Sequence, residues 1–315
     1  MTAVVFGGGG FIGRHLVSRL GKAGAVVRVP SRHVSRLGHL RTAGVVGQIV
    51  PELIDSFDEV ELEAAIRGAD VVVNLIGILA ESRRNSFDRI HAELPAQIAE
   101  IAARVGTKRL IHLSALGADR DSPSVYARSK AAGEIAVRAA FPDAVILRPS
   151  IIFGPEDRFF NRFAAMAAIS PALPLIGGGL TRFQPVYVGD VADAIAAAIT
   201  HPDAAGRTYE LGGPSIYSFR QLMELMLAEI GVNRLLAPIP WGMARVQASM
   251  VEWLPKPPLT RDQVELLKRD NVLSGEAPGL SDLGIQATAL ELILPTYLDR
   301  FHKGGRFGQR DSALP

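Results

Sequence analysis

VVFGGGGFIG, residues 4 to 13, sets four consecutive glycines between an apolar run and a stretch with helical spacing. Glycine loses more conformational freedom on folding than any other residue, so four in a row need positive φ or a backbone that passes very close to something else. Val4, Val5 and Phe6 read as the end of a buried strand, and the apolar spacing from Phe11 to Leu20 reads as a helix, leaving the glycines in the turn between them. Strand, glycine turn and helix in that order are the setting of a dinucleotide fingerprint, in which backbone N–H groups at a helix N-terminus face a pyrophosphate. Two registers fit, Gly8-x-Gly10-x-x-Gly13 and Gly7-x-x-Gly10-x-x-Gly13.

Outward from this turn, strand-like and helix-like segments alternate. AVVRVPSR (25 to 32) reads as a strand, DEVELEAAIRGA (58 to 69) as a helix and DVVVNLIG (70 to 77) as a strand. PAQIAEIAARVG (95 to 106), RLIHLSAL (109 to 116), YARSKAAGEIAVRAA (126 to 140) and AVILRPSIIFG (144 to 154) continue the rhythm as helix, strand, helix and strand. Such alternation builds parallel βαβ units. ISPALPLIGGG (169 to 179) reads as Pro/Gly-rich loop, and QPVYVGDVADAIAAAI (184 to 199) as a returning strand and helix. The expected fold class is α/β, a Rossmann-type doubly wound parallel sheet with a smaller, mostly helical C-terminal lobe. The expected boundaries are a core over 1–153 rejoined by 184–212, a second lobe from 154–183 and 213–300, and a flexible basic tail over 301–315. No internal repeat is visible.

Composition narrows the function. The chain has 315 residues, 48% of them hydrophobic, enough for one large core and a smaller second one. It has no cysteine, which removes disulfides, thiolate metal sites and thiol nucleophiles. Lys+Arg number 34 against Asp+Glu 32, a balance that argues against nucleic acid as a partner. The seven histidines show no metal-ligand spacing, and His91, inside a helical stretch, reads as a packed or solvated residue rather than a base. The longest apolar runs, such as ADVVVNLIGILA, fall well short of a membrane span. A strand that begins at residue 3 leaves no room for a leader, so the chain is expected in the cytoplasm or as an already processed protein.

The second strand decides the cofactor. NAD-specific folds place an acid about twenty residues past the glycines, where it binds ribose hydroxyls. Here no acid occurs from Met1 to Pro51, and the strand ends on Ser31-Arg32. A guanidinium at that point pairs with a 2′-phosphate, which a carboxylate would repel. The expected cofactor is therefore NADP(H), with NAD(H) the weaker candidate. Arg28 and Arg36 read as ordinary surface charges. Further on, Tyr126-Ala-Arg-Ser-Lys130 puts an ammonium and a phenol on one helix face, where the cation favours the phenolate and can also hold a ribose.

The glycine turn with Tyr126 and Lys130 resembles the extended or atypical branch of the short-chain dehydrogenase/reductase superfamily. NLIG (74 to 77), FPDAVILRPSIIFGPEDRFFNRFA (141 to 164), QPVYVGDVADAI (184 to 195), LTRDQVELLKRDNV (259 to 272) and LSDLGIQATALELI (280 to 293) resemble, more narrowly, the NADPH-binding accessory subunit family of respiratory complex I. The likeness covers nearly the whole chain, and its late segments are not shared with generic dehydrogenases. It implies an enzyme-like fold that keeps NADPH as a structural ligand beside the quinone-binding junction of the complex, in a bacterial relative peripheral to the inner membrane. It also implies contacts from Gly7, Gly10, Phe11, Ile12 and Gly13 to the pyrophosphate, and from Ser31 and Arg32 to the adenosine phosphate. Asp55 and Ser56 would read the adenine edge, while Leu75, Ile76 and Gly77 would line the ribose pocket. Ser114 would stand on the nicotinamide side, Tyr126 and Lys130 at its ribose, and Pro149, Ser150, Ile151 and Ile152 at the ring face.

One departure bears on turnover. Active members of the superfamily carry a second Ser or Thr one or two residues past the position of Ser114, where this chain has Ala115 and Leu116. A missing donor at a developing oxyanion costs orders of magnitude in rate. Ser114 itself, or Ser122 or Ser124, is the available substitute. Three functional classes follow: a structural or assembly subunit of a membrane-associated quinone oxidoreductase, an NADP-dependent reductase, epimerase or dehydratase for a small or isoprenoid-like substrate, and a redox-sensing regulator.

Overall fold

The computed structural model describes residues 1–82, 85–254 and 257–302; nearly all of the basic tail read at 301–315 lies outside the described residues. In chain order the strands are β1 (Thr2–Phe6), β2 (Val26–Ser31), β3 (Ile49–Leu53), β4 (Val71–Asn74), β5 (Arg109–Leu113), β6 (Val145–Pro149), β7 (Ile152–Phe153), β8 (Ala172–Ile176), β9 (Arg182–Phe183), β10 (Val186–Tyr187), β11 (Thr208–Leu211), β12 (Tyr217–Ser218) and β13 (Leu235–Ile239). The α-helices are α1 (Phe11–Lys22), α2 (Glu59–Ile66), α3 (Leu94–Arg104), α4 (Val125–Ala140), α5 (Phe160–Ile169), α6 (Val188–Thr200), α7 (Phe219–Glu229), α8 (Trp241–Val251), α9 (Arg261–Leu266) and α10 (Leu290–Leu298). A π-helical turn, Arg89–Glu93, leads into α3.

Two compact units divide the chain. The first takes Met1–Pro149, Val188–Leu211 and Leu273–Gln286, the last a segment that sequence reading placed in the C-terminal lobe. Its seven-stranded sheet runs in the order β11-β6-β5-β4-β1-β2-β3, with every pairing parallel. Strands buried on both faces read as unbroken Val/Ile/Leu runs, and VVVN of β4 is buried throughout. Ile98, Ile101, Leu62, Ile66 and Val137 pack one face together with Val4, Phe6, Val72 and Leu110. On α1, Leu16, Val17 and Leu20 are buried, as are Val191, Ala194, Ile195 and Ala198 on α6. The strand order reverses between β1 and β4, so the crevice beyond their carboxyl ends is the topological place for a ligand.

Sequence reading found no strand at 49–53. β3 forms there because it lies at the sheet edge and pairs only with β2, which tolerates the missing amide of Pro51.

The second unit takes, among the described residues, Ser150–Tyr187, Gly212–Val272 and residues 287–302. Aromatic rings form its core: Phe159 packs against Phe160, Phe163 and Phe219 at centroid separations of 5.0, 5.4 and 6.0 Å. Leu173, Leu175, Met223, Met226, Leu290 and Leu294 complete it. The 169–179 stretch, read as loop, holds β8, which pairs in parallel with β13 from Ala172↔Leu235 to Ile176↔Ile239. The late RDNV segment is a clamp. Asp270 accepts from the Arg182 amide (2.8 Å) and its Nε (2.7 Å). Asn271 Oδ1 accepts from Ser150 Oγ (2.7 Å) and the Ile151 amide (3.0 Å).

Candidate dinucleotide-binding site

The glycine turn is built by sterics. Gly7 has φ +79°, a left-handed backbone that side chains other than glycine rarely adopt. Gly13 lies against the Gly7 carbonyl and Gly8, and a methyl group there would overlap both. The Gly10 amide donates to Gly7 O (2.9 Å), and Gly10, in extended conformation, starts α1. No side chain caps that helix and no carboxylate occurs in its first turn, so the amides of Phe11, Ile12 and Gly13 open toward the crevice without a side-chain acceptor. A Cβ on Gly10 would meet only the Gly7 carbonyl, 3.1 Å away, and otherwise project into open space.

At the end of β2, Ser31 Oγ accepts from the His33 amide (3.1 Å), and Arg32 is exposed with its guanidinium 6.0 Å from the Phe57 ring centroid. Phe57 has φ +58°, the one positive φ among described non-glycine residues. That turn is imposed by Glu61, whose carboxylate accepts from the amides of Asp55 (3.2 Å), Ser56 (2.8 Å) and Phe57 (3.0 Å). These bonds, the Ser56 amide foremost, hold the Glu61 carboxyl below the ordinary carboxylate range. Ser56 Oγ lies 2.8 Å from Asp58 Oδ2 and 2.9 Å from Glu61 Oε2, so the hydroxyl placed at the adenine edge by sequence is tied into its own loop. Arg28 serves the fold, pairing with Glu52 (2.6 Å) and donating to the carbonyls of Arg67 and Ala64, while Arg36 is exposed.

The other end of the crevice is closed. Leu75 N donates to Phe6 O (3.0 Å) and Ile76 N to Asn74 Oδ1 (3.1 Å), which turns the chain out of β4. Gly77 then faces Lys130: a Cβ on it would sit 3.4 Å from Lys130 Nζ and 3.6 Å from His91 Nε2. Lys130 is 5% exposed and donates to Leu113 O (3.2 Å), next to Ser114. Burial lowers the Lys130 pKa to about 8, only partly opposed by Glu134. Ser114 is buried, and its hydroxyl has no protein partner. Tyr126 lies one turn before Lys130 on α4, its ring edge-on to His91 and Phe87 at 5.3 and 5.8 Å. His91 and His112 are both buried, and desolvation, then the neighbouring Lys130 charge, pushes each imidazole down to about 3.

Of the serines after Ser114, Ser122 Oγ accepts from the Ser124 amide (3.2 Å) and Ser124 Oγ caps α4 by accepting from Ala127 N (3.2 Å). Pro149 closes β6 and accepts from Leu116 N (2.9 Å). Ser150, Ile151 and Ile152 belong to the second unit, where Asn271 holds the first two.

These features suit a dinucleotide. The cradle at Gly13 excludes a side chain, the helix N-terminus is uncapped, and a buried serine hydroxyl beside a buried lysine lacks a protein partner. Sequence reasoning passed over Phe87, Phe57 and Ser129, and read His91 only as a packed or solvated residue; it is packed, 1% exposed. Their signal is spatial, because nothing in the spacing of residues 87 and 91 announces that both rings pack on Tyr126. Among the described residues no group of His, Asp and Glu could hold a metal ion, and no helix is long and apolar enough to cross a membrane.

Residues 3–212 match the NAD dependent epimerase/dehydratase family. NADH dehydrogenase (ubiquinone) 1 alpha subcomplex subunit 9 of Arabidopsis thaliana is 38% identical over 317 residues, covering 97% of this chain and 79% of the relative. The NADH-ubiquinone oxidoreductase 40 kDa subunit of Neurospora crassa is 32% identical over 309 residues, covering 97% and 81%. Among solved structures, a nucleoside-diphosphate-sugar epimerase from Staphylococcus aureus superposes with a TM-score of 0.75 at 16% identity, covering 94% of this chain and all of that one, a likeness of fold.

Proposed function

The chain belongs to the NAD dependent epimerase/dehydratase family and, within it, to the family of the complex I accessory subunits just described; from that premise we propose that it holds NADP(H) as a structural ligand in an accessory or assembly subunit of a respiratory NADH:ubiquinone oxidoreductase. The observation that carries this reading is the near-full-length correspondence with those subunits, which covers 97% of this chain. The site supports it. Arg32 stands exposed at the end of β2 with no acid on that strand, the arrangement that favours a 2′-phosphate over a free ribose hydroxyl. Positions 115 and 116 are apolar, so the second Ser or Thr of active superfamily members is missing there, and Ser114 alone is left at that strand end to give a carbonyl beside Tyr126 its second hydrogen bond. The protein would act on the cytoplasmic side, peripheral to the membrane that carries the complex.

The nicotinamide ring would bring hydride-transfer capacity. What this chain contributes is retention: the amides of α1 toward the pyrophosphate, Arg32 toward the 2′-phosphate, Tyr126 and Lys130 toward the ribose. The test is purification from native membranes under mild detergent. NADP(H) and respiratory-complex subunits should co-purify in near-stoichiometric amounts, and Tyr126→Phe should leave that assembly intact.

A second reading, a free-standing NADP-dependent reductase, is favoured by the intact Tyr126/Lys130 pair. It predicts a soluble, partnerless protein that loses at least about a hundredfold in turnover with Tyr126→Phe while still binding cofactor.

A further inference from the structure

We propose that His91 is a positioning residue: its two ring nitrogens latch the loop after β4 to α4, and its ring holds the Tyr126 ring in place for the nicotinamide ribose. The inference deepens the NADP(H) reading and rests on it.

The hydrogen bonds define the latch. The Ile78 amide donates to His91 Nε2 (3.0 Å), so that nitrogen carries the lone pair. Ser129 Oγ donates its proton to the Tyr126 carbonyl (2.8 Å) and can then only accept from His91 Nδ1, 2.9 Å away. One tautomer satisfies all three contacts, an imidazole with its proton on Nδ1. A charged imidazole would break the Ile78 bond and set a second cation beside Lys130, and burial opposes it as well.

Packing fixes the ring and its backbone. Phe87 stacks on His91 at 5.3 Å with planes 21° apart, Tyr126 meets it edge-on at 5.3 Å and 90°, and Phe87 closes the triangle against Tyr126 at 5.8 Å. The His91 carbonyl rests directly on Gly133 of α4, where any side chain would overlap it. The π turn of Arg89–Glu93 brings the residue to this depth. A single imidazole thus contacts the Ile78 loop, Ser129 and Tyr126, while Gly77 leaves room between Nε2 and Lys130 Nζ. The glycine turn and Arg32 form no part of this cluster, so the latch acts on one end of the dinucleotide alone.

The test compares two ligands on the full-length protein. His91→Phe keeps the stacking and deletes both hydrogen bonds; His91→Gln keeps an acceptor and a donor. By calorimetry, His91→Phe should weaken NADPH binding about tenfold, the worth of two hydrogen bonds, and leave adenosine 2′,5′-bisphosphate within about twofold of wild type. His91→Gln should recover most of the loss. Nitrogen NMR of labelled histidine should show the Nδ1–H tautomer unchanged between about pH 5.5 and 8. Equal weakening of both ligands, no weakening of either, or an Nε2–H tautomer would overturn the proposal. Should His91→Phe fail to fold, Ser129→Ala removes the far acceptor together with its bond to the Tyr126 carbonyl, leaves the Ile78 bond in place, and carries the same two-ligand comparison. If wild type binds neither ligand, the NADP(H) reading fails, and the latch is judged by Ile78 amide exchange. That exchange should quicken in His91→Phe and slow again in His91→Gln, and no change would sink the latch as well.

Discussion

The two ends of the dinucleotide crevice are made differently. At the β2 end Arg32 is exposed beside the ring of Phe57, which sits on a separate loop organised by one carboxylate, Glu61. At the β4 end Lys130 is 5% exposed, Ser114 4% and His91 1%. An exposed guanidinium can discriminate a phosphate at little cost to the fold, because water solvates it when the phosphate is absent. A buried lysine and two uncharged histidines cost stability in return for a shape fixed before any ligand arrives. On the proposed NADP(H) reading, selectivity would belong to the open end and preorganisation to the closed one.

Acid should give the largest effect that sharpens this contrast. His91 and His112 are held uncharged down to about pH 3, whereas in the unfolded chain they titrate near 6.5. Between those values the unfolded state binds more protons, so stability is lost as pH falls below 6.5. The slope is about 1.4 kcal/mol per pH unit for each histidine, on the order of 5 kcal/mol for both by pH 4.5. Urea unfolding at stepped pH measures it. His91→Gln should halve the slope, and an unchanged slope would mean the closed end does not exclude the charged imidazole.

Next in size is Lys130. Its folded pKa lies near 8, below the unfolded value of 10.5, so the cost of burying the ammonium is fully present below pH 8 and disappears as pH rises to 10.5. Lys130→Met should raise the stability of the ligand-free protein by on the order of 3 kcal/mol at neutral pH. The gain should shrink toward zero by about pH 10.5, and the same variant should retain NADPH less well. A variant less stable than wild type would place the lysine's value in the fold rather than in the site.

The open end should yield smaller numbers. Arg32→Ala should narrow the preference for NADPH over NADH by about 1–3 kcal/mol, with little change in melting temperature. Raising the salt concentration should erode the wild-type preference in the same direction. Calorimetry showing equal affinity for both cofactors in wild type would remove the charge argument altogether. Smallest of all, Phe57→Ala should cost about 0.5–1 kcal/mol of that preference by releasing the guanidinium it supports.

Much of the first unit was legible because parallel strands and crossover helices announce themselves locally. VVV of β4 and VVF of β1 are unbroken apolar runs, and α6 is a run of alanines with spaced Val and Ile. β3 escaped notice because Pro51 and Glu52 interrupt its pattern and an edge strand has no second neighbour to impose one. β8 was hidden by Pro174 within it and Pro171 just before it, and by a partner, β13, that arrives only at Leu235–Ile239. The candidate site divides the same way. The Gly7–Gly13 turn and the Tyr126/Lys130 pair are short-range signals. The triangle of Phe87, His91 and Tyr126 depends on a π turn meeting α4 at Gly133, which no period in the sequence encodes.

The clamp at Asn271 has a consequence for how the protein is made. Ser150 and the Ile151 amide bond to a side chain 121 and 120 residues downstream. At about 5–20 residues per second, a ribosome that has just joined Ser150 needs roughly 6–24 s to add its partner. Through that interval the amide of Ile151 can be satisfied only by water or by a chaperone. Release of the second unit as a protease-resistant body should therefore wait for the RDNV segment to clear the exit tunnel, however early its aromatic residues emerge.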